Sequence, residues 1–413
     1  MSSSIVRVRP FEPPLRGVVT LTAPTSKSHA LRALILAGAG RQRTRLEGLP
    51  GNDDVRALAA ALDVLAAGKG GVLEAGEGAA PARFLLALAA VTPGLWTIDG
   101  HAALRRRPMR EALETATALG GEVAASSGLP VVVRGVAKAP PRRLEIAANA
   151  SSQHASAALL AAAWARMPLE LGGRIAVSRG YLEMTVAMLR DFGHSVVGGI
   201  AADRSIDLRF EPKDSPPARY RVPVDASGAA FLWLAGALGP TQVRVLGIDP
   251  TIAQPDLAFL SALERLGAKV HREPAGAVVG GGLDGGIDVD LRDWPDAAPA
   301  LAVAMARAGG RSVVRGAAHL RSKESDRIAV LVENLRRLGC RAVEQADGFA
   351  IEGGIPRGPP VLIDPHGDHR VAMAFAALGV LGPIEIGSPE CTTKSFPGFF
   401  EELARVAVVD VVG

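Results

Sequence analysis

The sequence is poor in cysteine, in aromatic residues and in long apolar runs. It has 2 cysteines and 4% aromatic residues among 413 residues. Cys340 and Cys391 cannot build a disulfide framework, which points to a reducing compartment. The scarcity of aromatic side chains argues against a surface on which nucleobases stack. The longest apolar runs, such as residues 155–165, are too short to cross a bilayer, so a membrane protein is not expected.

The charge balance is mildly basic. There are 46 Lys+Arg against 42 Asp+Glu, and the formal net charge is +4. The basic residues are scattered rather than gathered in a stripe, so small anionic ligands are expected and nucleic acid is not. The N-terminal residues show no signal-peptide pattern, and a cytoplasmic protein is therefore expected.

An internal repeat organises the chain. Alanine-rich helical segments begin at Ser28, Ala79, Ser151, Asp225, Asp296 and Asp368, and the last five starts are 71 to 74 residues apart. Charged helical segments lie between them and end before Gly120, Gly193, Gly267 and Gly339. Such a glycine can close a helix in the left-handed conformation, and the valine that follows begins a strand. The first helix class is apolar nearly all round and should be buried, whereas the second has one charged face and should lie outside.

Six repeats predict an α/β (α+β) fold in two lobes of three repeated units each. The chain is expected to cross between the lobes near Pro24 and again near Pro223. Residues 25–223 would form the first lobe. Residues 1–24 and 224–413 would form the second lobe, which the N-terminal strand would complete.

Polar residues mark the starts of the alanine-rich helices. A helix N-terminus offers free backbone N–H groups and a partial positive charge, so it can bind an anion. Helix capping accounts for a serine or an aspartate at such a start. It does not account for Lys27, Gln153 or Arg370, and a cation there opposes the helix dipole. If several of these starts face one cleft, they predict a pocket that attracts anions.

Seven motifs together resemble one enzyme family. They read SKSHALRA, ASSQHASAALL, SRGYLEMTVAML, PDAAPALA, RSKESDRI, GDHRVAMAF and TTKSFPGFF, in this order along nearly the whole chain. The family is EPSP synthase, or 3-phosphoshikimate 1-carboxyvinyltransferase. The resemblance implies two lobes, each of three βαβαββ-type units with buried Ala-rich helices, and an active site in the cleft between the lobes.

The resemblance also implies a reaction. The family transfers the enolpyruvyl group of phosphoenolpyruvate to the 5-hydroxyl of shikimate 3-phosphate and releases phosphate, by addition and then elimination. The step belongs to the shikimate pathway, which leads to chorismate and the aromatic amino acids. No metal or organic cofactor is implied, and we expect a monomer.

Site residues follow from the same resemblance. It assigns shikimate 3-phosphate to Ser28, Arg32, Ser151, Ser152, Gln153, Ser178, Tyr181 and Lys323. It assigns phosphoenolpyruvate to Lys27, Arg107, Gln153, Arg327, Arg370 and Lys394. Glu324 is implied as the general acid and Asp296 as the base, with Lys27 assisting and His369 in a supporting place. Both proton-transfer roles need groups with tuned pKa values.

Simpler interpretations compete for several of these residues. Arg32 could merely pair with a surface acid, and Tyr181 could belong to the core. Residues 323–327 lie at helical spacing, which is typical of an exposed ion-pair face. His366 and His369 resemble a metal pair, but no third ligand is evident, so no metal is expected.

The loop at residues 75–83 departs from the family pattern N-A-G-T-A-x-R. Counted back from Arg83, the family glycine falls on Ala79; an alignment with one inserted residue puts it on Gly78. Glu77 would bring negative charge toward anionic ligands, and His319 stands where the family usually has Asn. A methyl group at the glycine position would narrow the phosphoenolpyruvate half-site, so weak inhibition by glyphosate is expected.

Three other functions remain open. One is a paralogous enzyme that acts on another phosphorylated cyclic alcohol, which the changed loop would suit. Another is enolpyruvyl transfer to a UDP-sugar, although that family usually has a cysteine in the first lobe and Cys340 is the first cysteine here. The third is a degenerate member that binds a metabolite without turnover.

Overall fold

The structure is a computed structural model that describes residues 4–40, 42–124, 126–136, 143–148, 151–355 and 360–412. The chain forms two compact units. We call residues 1–26 and 223–413 the terminal unit, because it holds both chain ends, and residues 27–222 the inserted unit.

The described residues alternate between short strands and helices. The strands are β1 Ile5–Arg9, β2 Val18–Leu21, β3 Arg45–Glu47, β4 Gly71–Glu74, β5 Gly94–Asp99, β6 Glu122–Val123, β7 Val131–Gly135, β8 Arg143–Ala148, β9 Leu169–Ile175, β10 Ser195–Ile200, β11 Ser205–Glu211, β12 Arg219–Arg221, β13 Gln242–Leu246, β14 Lys269–Glu273, β15 Gly276–Gly280, β16 Asp288–Asp290, β17 Arg311–Arg315, β18 Arg341–Gln345, β19 Gly348–Glu352, β20 Leu362–Ile363, β21 Ile384–Gly387 and β22 Val408–Val412. The α-helices are α1 Lys27–Ala39, α2 Asp53–Ala66, α3 Ala79–Val91, α4 Ala102–Arg105, α5 Arg110–Ala118, α6 Gln153–Trp164, α7 Arg179–Asp191, α8 Ala226–Leu238, α9 Ala258–Arg265, α10 Ala298–Ala308, α11 Arg327–Arg337, α12 His369–Ala376 and α13 Phe399–Leu403.

Four sheets share one topology. In the inserted unit β8 pairs parallel with β9, β9 antiparallel with β11, and β11 antiparallel with β10. The sheets β4-β5-β7-β6, β2-β13-β15-β14 and β16-β17-β19-β18 repeat this order. In three of these sheets a helix follows each of the first two strands and a hairpin closes the unit, so the chain runs strand, helix, strand, helix, strand, strand; in the sheet that contains β2, the inserted unit separates β2 from α8 and β13. The expected α/β fold of repeated units is confirmed.

The two remaining sheets draw on distant parts of the chain. In the terminal unit the N-terminal strand β1 pairs with β21 and β22 near the C-terminus. In the inserted unit β3 pairs parallel with β12, which begins at Arg219. The two places where the chain leaves and re-enters the terminal unit also pair, through an antiparallel bridge from Thr25 to Val224.

The alanine-rich helices are buried, as their composition predicts. Every residue of α8 and of α12 is buried, and so is nearly all of α3. Alanine has no side chain beyond Cβ, so helices can pack closely and still exclude water. Thus α3 packs on α6 in the inserted unit, and α10 packs on both α8 and α12 in the terminal unit. The polar starts of these helices are therefore held by a rigid apolar scaffold.

The second helix class ends as the sequence predicts. Gly120, Gly193, Gly267 and Gly339 have φ of 99°, 82°, 88° and 81°. A left-handed residue turns the chain out of the helix and toward the next strand, and glycine adopts it without a clash at Cβ. Among the described residues, no helix combines the length and apolar character needed to cross a membrane.

We expect Gly135→Ala to destabilise the inserted unit. A Cβ at Gly135, on buried strand β7, would lie 1.9 Å from the carbonyl oxygen of Thr92 and 2.2 Å from that of Ala89. Overpacking of this kind costs roughly 1–3 kcal/mol. Gly199 on β10 is the matched control, because an added Cβ meets nothing within 4 Å. Chemical denaturation measures the stability of Gly135→Ala and of the control Gly199→Ala. Equal denaturation midpoints for the two variants would contradict the prediction.

We expect buried His29 to weaken the fold in acid. Burial, reinforced by the charge of Arg32, lowers the pKa of His29 to about 3. The unfolded chain, with a histidine pKa near ~6.5, binds the proton first, so stability falls as the pH drops below ~6.5, by roughly 2 kcal/mol at about pH 5. His29→Gln should flatten this part of the slope of unfolding free energy against pH. His271→Gln is the control, since His271 is exposed, and an unchanged slope in His29→Gln would contradict the idea.

Candidate active site

The terminal unit gathers charged side chains into one connected group, which we call the arginine–carboxylate cluster. Its members are Asp296 before α10, Lys323, Glu324 and Arg327 at the start of α11, Asp368 and Arg370 at the start of α12, and Lys394 in a 3-10 turn. Six of the seven were implied by the family resemblance; Asp368 was not.

Arg327 is the centre of the cluster. The residue is fully buried, yet three carboxylates surround its guanidinium. Nε lies 2.9 Å from Asp368 Oδ2, and Nη2 lies 3.0 Å from Glu324 Oε2. Nη1 lies 3.6 Å from Asp296 Oδ1. Burial alone would lower the pKa of Arg327, but these carboxylates raise it, so the arginine stays charged and its position is fixed.

Asp296 lies among cations. Its Oδ2 is 2.9 Å from Arg370 Nη2, and its Oδ1 is 3.8 Å from Lys323 Nζ. Arg370 also donates from Nη1 to the backbone oxygen of Asp296 at 3.2 Å. Burial alone would raise the pKa of Asp296, but Arg370, Lys323 and Arg327 hold it well below its usual range. The carboxylate is therefore ionised before any substrate binds.

Glu324 joins the cluster to a second cation. Its Oε2 accepts from Arg327, and its Oε1 lies 3.4 Å from Lys394 Nζ. The side chain is 14% exposed, so it lies at the edge of the cluster rather than at its buried centre. A side chain at such an edge can reach a ligand, and a group that exchanges a proton with the ligand must do so.

Asp368 explains why the cluster forms where two helices begin. It caps α12, because its Oδ1 accepts the backbone N–H of Arg370 at 3.0 Å. The same carboxylate accepts from Arg327, the first residue of α11. One fully buried side chain thus ties the starts of both helices together. Sequence reasoning treated this aspartate as part of a helix start only, because capping alone would explain it.

His319 is a neutral imidazole beside the cluster. It is 8% exposed, and neither ring nitrogen has a hydrogen-bond partner in the described part of the chain. Burial, together with the charge of Lys323, lowers its pKa to about 3. Sequence reasoning noted this histidine as a departure from the family and did not count it as a site residue.

Asp256 is a second neighbour that sequence reasoning missed. It is almost fully buried, and Ser227 Oγ donates a hydrogen bond to its Oδ2. Burial, with added repulsion from Asp296, raises its pKa to about 6. A buried carboxyl so close to other charges has no pattern in the sequence by which it could have been recognised.

The inserted unit places Lys27 at the start of α1. Its Nζ lies 2.8 Å from Oδ2 of Asp54, near the start of α2. The side chain of Lys27 is 17% exposed and that of Asp54 is 3% exposed. The buried carboxylate therefore fixes the ammonium group, while part of the lysine side chain remains exposed. Asp54 was missed, since acidic residues are common in the first turn of any helix.

Arg32 is buried without a carboxylate. Its Nε donates to Thr185 Oγ1 at 2.7 Å, its Nη1 to the backbone oxygen of Ser28 at 2.8 Å, and its Nη2 to that of Tyr181 at 3.2 Å. Burial lowers its pKa to about 10. No acidic side chain of the described residues lies within ion-pair distance of it, which excludes the surface pair that was the simpler interpretation.

Gln153 begins α6 and is oriented by an arginine. Its Oε1 accepts from Arg83 Nη1 at 2.6 Å, so its amide N–H₂ points elsewhere. Ser151 Oγ accepts the backbone N–H of Gln153, the first residue of α6, at 3.2 Å. Ser152 Oγ is buried with no hydrogen-bond partner among the residues described.

Ser178 stands directly before α7 in a strained conformation. Its φ of 61° is left-handed, which is uncommon for a residue with a Cβ. Such strain is concentrated at functional sites. Arg107, the remaining residue implied for phosphoenolpyruvate, is half-buried in a separate segment before α5.

The loop before α3 has a tightly packed glycine at position 78. A Cβ there would lie 2.6 Å from Asp54 Oδ1 and 2.7 Å from Pro81 Cδ. A side chain at position 78 would therefore not fit without a shift of its neighbours. Weak inhibition by glyphosate, which follows if Ala79 stands at the family glycine position, stays a prediction.

The described residues include no group of three or more His, Cys, Asp or Glu side chains that could hold a metal ion. His366 instead lies 3.6 Å from Glu333 and from Asp364. His369 is buried in α12.

Comparisons with known proteins identify the family. The family model for EPSP synthase (3-phosphoshikimate 1-carboxyvinyltransferase) matches residues 64–403. A 3-phosphoshikimate 1-carboxyvinyltransferase of Thermococcus kodakarensis is 39% identical over 97% of this chain and 99% of its own length. That of Syntrophobacter fumaroxidans is 34% identical over 95% and 98%.

Solved structures show the same fold. EPSP synthase from Acinetobacter baumannii superposes with a TM-score of 0.78 at 24% identity, covering all of both chains. The enolpyruvyl transferase NikO from Streptomyces tendae gives 0.74 at 15% identity, covering 100% of this chain and 99% of its own. From the matched residues and the full-length relatives, this chain belongs to the EPSP synthase family of transferases.

Proposed function

We propose that the chain transfers the enolpyruvyl group of phosphoenolpyruvate to the 5-hydroxyl of shikimate 3-phosphate, giving 5-enolpyruvylshikimate 3-phosphate and phosphate. The observation that carries the proposal is the arginine–carboxylate cluster. It joins the two proton-transfer candidates, Asp296 and Glu324, through a single buried arginine. Family membership and the full-length relatives support the same reaction.

The proposal gives the residues implied by the family resemblance a role in this reaction. Arg327 and Arg370 would hold the carboxylate of phosphoenolpyruvate, for which planar guanidinium groups suit bidentate pairing. Its phosphate would be held by Lys27, Arg107, Gln153 and Lys394. The acceptor's 3-phosphate would lie on Ser151, Ser152 and Ser178, its carboxylate on Ser28 and Arg32, and its ring and hydroxyls on Gln153, Tyr181, Lys323 and Asp296.

Arg32 supports the carboxylate assignment. A buried cation that lacks a counter-ion is costly, and a carboxylate ligand would remove that cost. Three of its five N–H groups are bound to neutral oxygens. The remaining donors can serve an anionic group of the acceptor.

The state of Asp296 suggests how the base is activated. In the cluster its pKa is held low by Arg370, Lys323 and Arg327, so it is a poor base. A carboxylate of phosphoenolpyruvate on Arg327 and Arg370 would compete for the same charges and raise the pKa of Asp296. The base would then become effective only when the donor substrate is bound.

Proton transfer then follows the positions of the two carboxyl groups. Glu324, once it has taken up a proton, would donate it to the methylene carbon of phosphoenolpyruvate, while Asp296 accepts the proton of the 5-hydroxyl, whose oxygen bonds to the adjacent carbon. The tetrahedral intermediate then loses phosphate, and the ionised Glu324 would take a proton back from the new methyl group, which restores the double bond. The cations stabilise the departing phosphate.

The decisive measurement is phosphate release with both substrates, with the mass of the product confirmed. We expect release only when phosphoenolpyruvate and shikimate 3-phosphate are present together, and none when UDP-N-acetylglucosamine replaces the acceptor. A folded protein that binds phosphoenolpyruvate without releasing phosphate would contradict the proposal. That result would favour another phosphorylated cyclic alcohol as the acceptor, or a binder without turnover.

We expect Glu324→Gln to lower kcat by roughly 10²–10⁴-fold, the usual contribution of a positioned general acid. Glutamine keeps the size of the side chain but cannot donate the proton. Glu333→Gln is the matched control, because Glu333 lies exposed on the same helix and pairs with Arg337. Thermal unfolding shows whether each variant is folded. A folded Glu324→Gln with kcat within twofold of wild type would exclude Glu324 as the acid.

A further inference from the structure

Arg32 is held by a chain of buried hydroxyl groups. Thr185 on α7 is fully buried, and its Oγ1 accepts the Nε–H of Arg32 at 2.7 Å. The same oxygen lies 2.8 Å from Ser156 Oγ on α6 and 3.0 Å from the backbone oxygen of Tyr181. Three helices, α1, α6 and α7, therefore meet at this threonine.

The direction of these hydrogen bonds is determined by the groups themselves. A guanidinium can only donate, so Thr185 must accept from Arg32. The single hydroxyl proton of Thr185 is then donated to Ser156 or to the carbonyl of Tyr181. Thr185 is thus the neutral acceptor that receives the inner N–H of a buried cation.

These partners do not use every N–H group of Arg32. Besides Nε, the backbone oxygen of Ser28 takes one N–H of Nη1, and that of Tyr181 takes one N–H of Nη2. One N–H therefore remains on each terminal nitrogen, and a carboxylate can accept from two such N–H groups of one guanidinium. The ring of Phe84 faces the guanidinium carbon at 5.5 Å and limits its tilt.

We propose that Thr185, with Ser156 behind it, is a positioning residue that orients Arg32 toward the carboxylate of the acceptor. The proposal rests on the function proposed above, because the ligand is the acceptor of that reaction. Thr185 touches no substrate in this account; it acts through the orientation of Arg32.

The test compares three variants of the full chain by steady-state kinetics. Thr185→Val has the same shape but no hydroxyl, so we expect the KM for shikimate 3-phosphate to rise roughly tenfold, as the loss of a hydrogen bond to a charged group would cause. The KM for phosphoenolpyruvate and kcat should stay within about twofold, which is near the smallest change that such an assay separates. Thr185→Ser keeps the hydroxyl and should restore the wild-type KM.

Thr115→Val is the matched control. Thr115 is also a buried threonine of the inserted unit, and its Oγ1 also donates to the carbonyl four residues earlier, that of Glu111, at 2.7 Å. It does not contact Arg32. A merely structural role of Thr185 would give the two valine variants the same kinetics.

A second pair of measurements locates the effect. Ser156→Ala should raise the same KM less than Thr185→Val does, because Thr185 can still donate to the carbonyl of Tyr181. In binding calorimetry, Thr185→Val should weaken the binding of shikimate 3-phosphate more than the binding of its 1-carboxamide analogue. The reason is that a neutral carboxamide interacts only weakly with the charge of Arg32.

The outcomes separate the two proposals. If wild type neither turns over nor binds shikimate 3-phosphate, both proposals are overturned. If wild type turns over and folded Thr185→Val keeps its KM for the acceptor, only the positioning role is overturned. An equal rise in the KM for both substrates in Thr185→Val also overturns the positioning role, and so does a Thr185→Ser variant that fails to restore the wild-type KM. The positioning role is supported if Thr185→Val raises only the KM for the acceptor, Thr185→Ser restores that KM, and Thr115→Val has wild-type kinetics.

Discussion

A guanidinium withdrawn from water needs nearby negative charge, and the terminal unit is arranged around that need. Arg327 has no exposed surface, so the carboxylates of Asp368, Glu324 and Asp296 must converge on it. The convergence brings the starts of α11 and α12 together with the turn before α10. Removing any one partner would leave buried charge uncompensated, which is far more costly than losing a surface ion pair. The positions of the two proton-transfer candidates thus follow from one buried cation.

The inserted unit surrounds its buried arginine with neutral groups instead of acids. Arg32 is also buried, but its partners among the described residues are hydroxyl and carbonyl oxygens. Neutral acceptors satisfy the geometry of the N–H groups without cancelling the charge. Arg327 is therefore surrounded by three carboxylates of its own unit, whereas Arg32 donates to neutral oxygens among the described residues.

Both arrangements depend on helices built from small residues. In α8 and α12 every residue is buried, and alanine lets such helices pack closely on their neighbours. The first backbone N–H groups of a helix have no acceptor within the helix. When the helix is buried along its whole length, other groups must accept these hydrogen bonds. Asp368, which caps α12, and Ser151, which accepts the first N–H of α6, meet that requirement, and the functional side chains lie next to them.

Much of this could be predicted from the order of residues alone. The spacing of the alanine-rich segments predicts the repeat, because a helix that is apolar on all sides must be buried whatever surrounds it. The glycines after the outer helices predict their left-handed closure, since few other residues adopt that conformation without strain. The seven motifs predict the family, and with it Arg327, Arg370 and Glu324, because they are local runs of residues that need no knowledge of distant contacts.

Tertiary structure alone decided which partner each charge has. Asp368 and Arg327 are 41 positions apart, and Arg32 and Thr185 are 153 positions apart. Nothing in the local sequence distinguishes an aspartate that caps a helix from one that also neutralises a buried arginine, or a core threonine from one that orients a cation. Local propensity and hydrophobic pattern act over a few residues and determine the helices, the strands and the repeat. Ion pairs and pKa values depend on distance and on exclusion of water, and both arise only when the helices have packed.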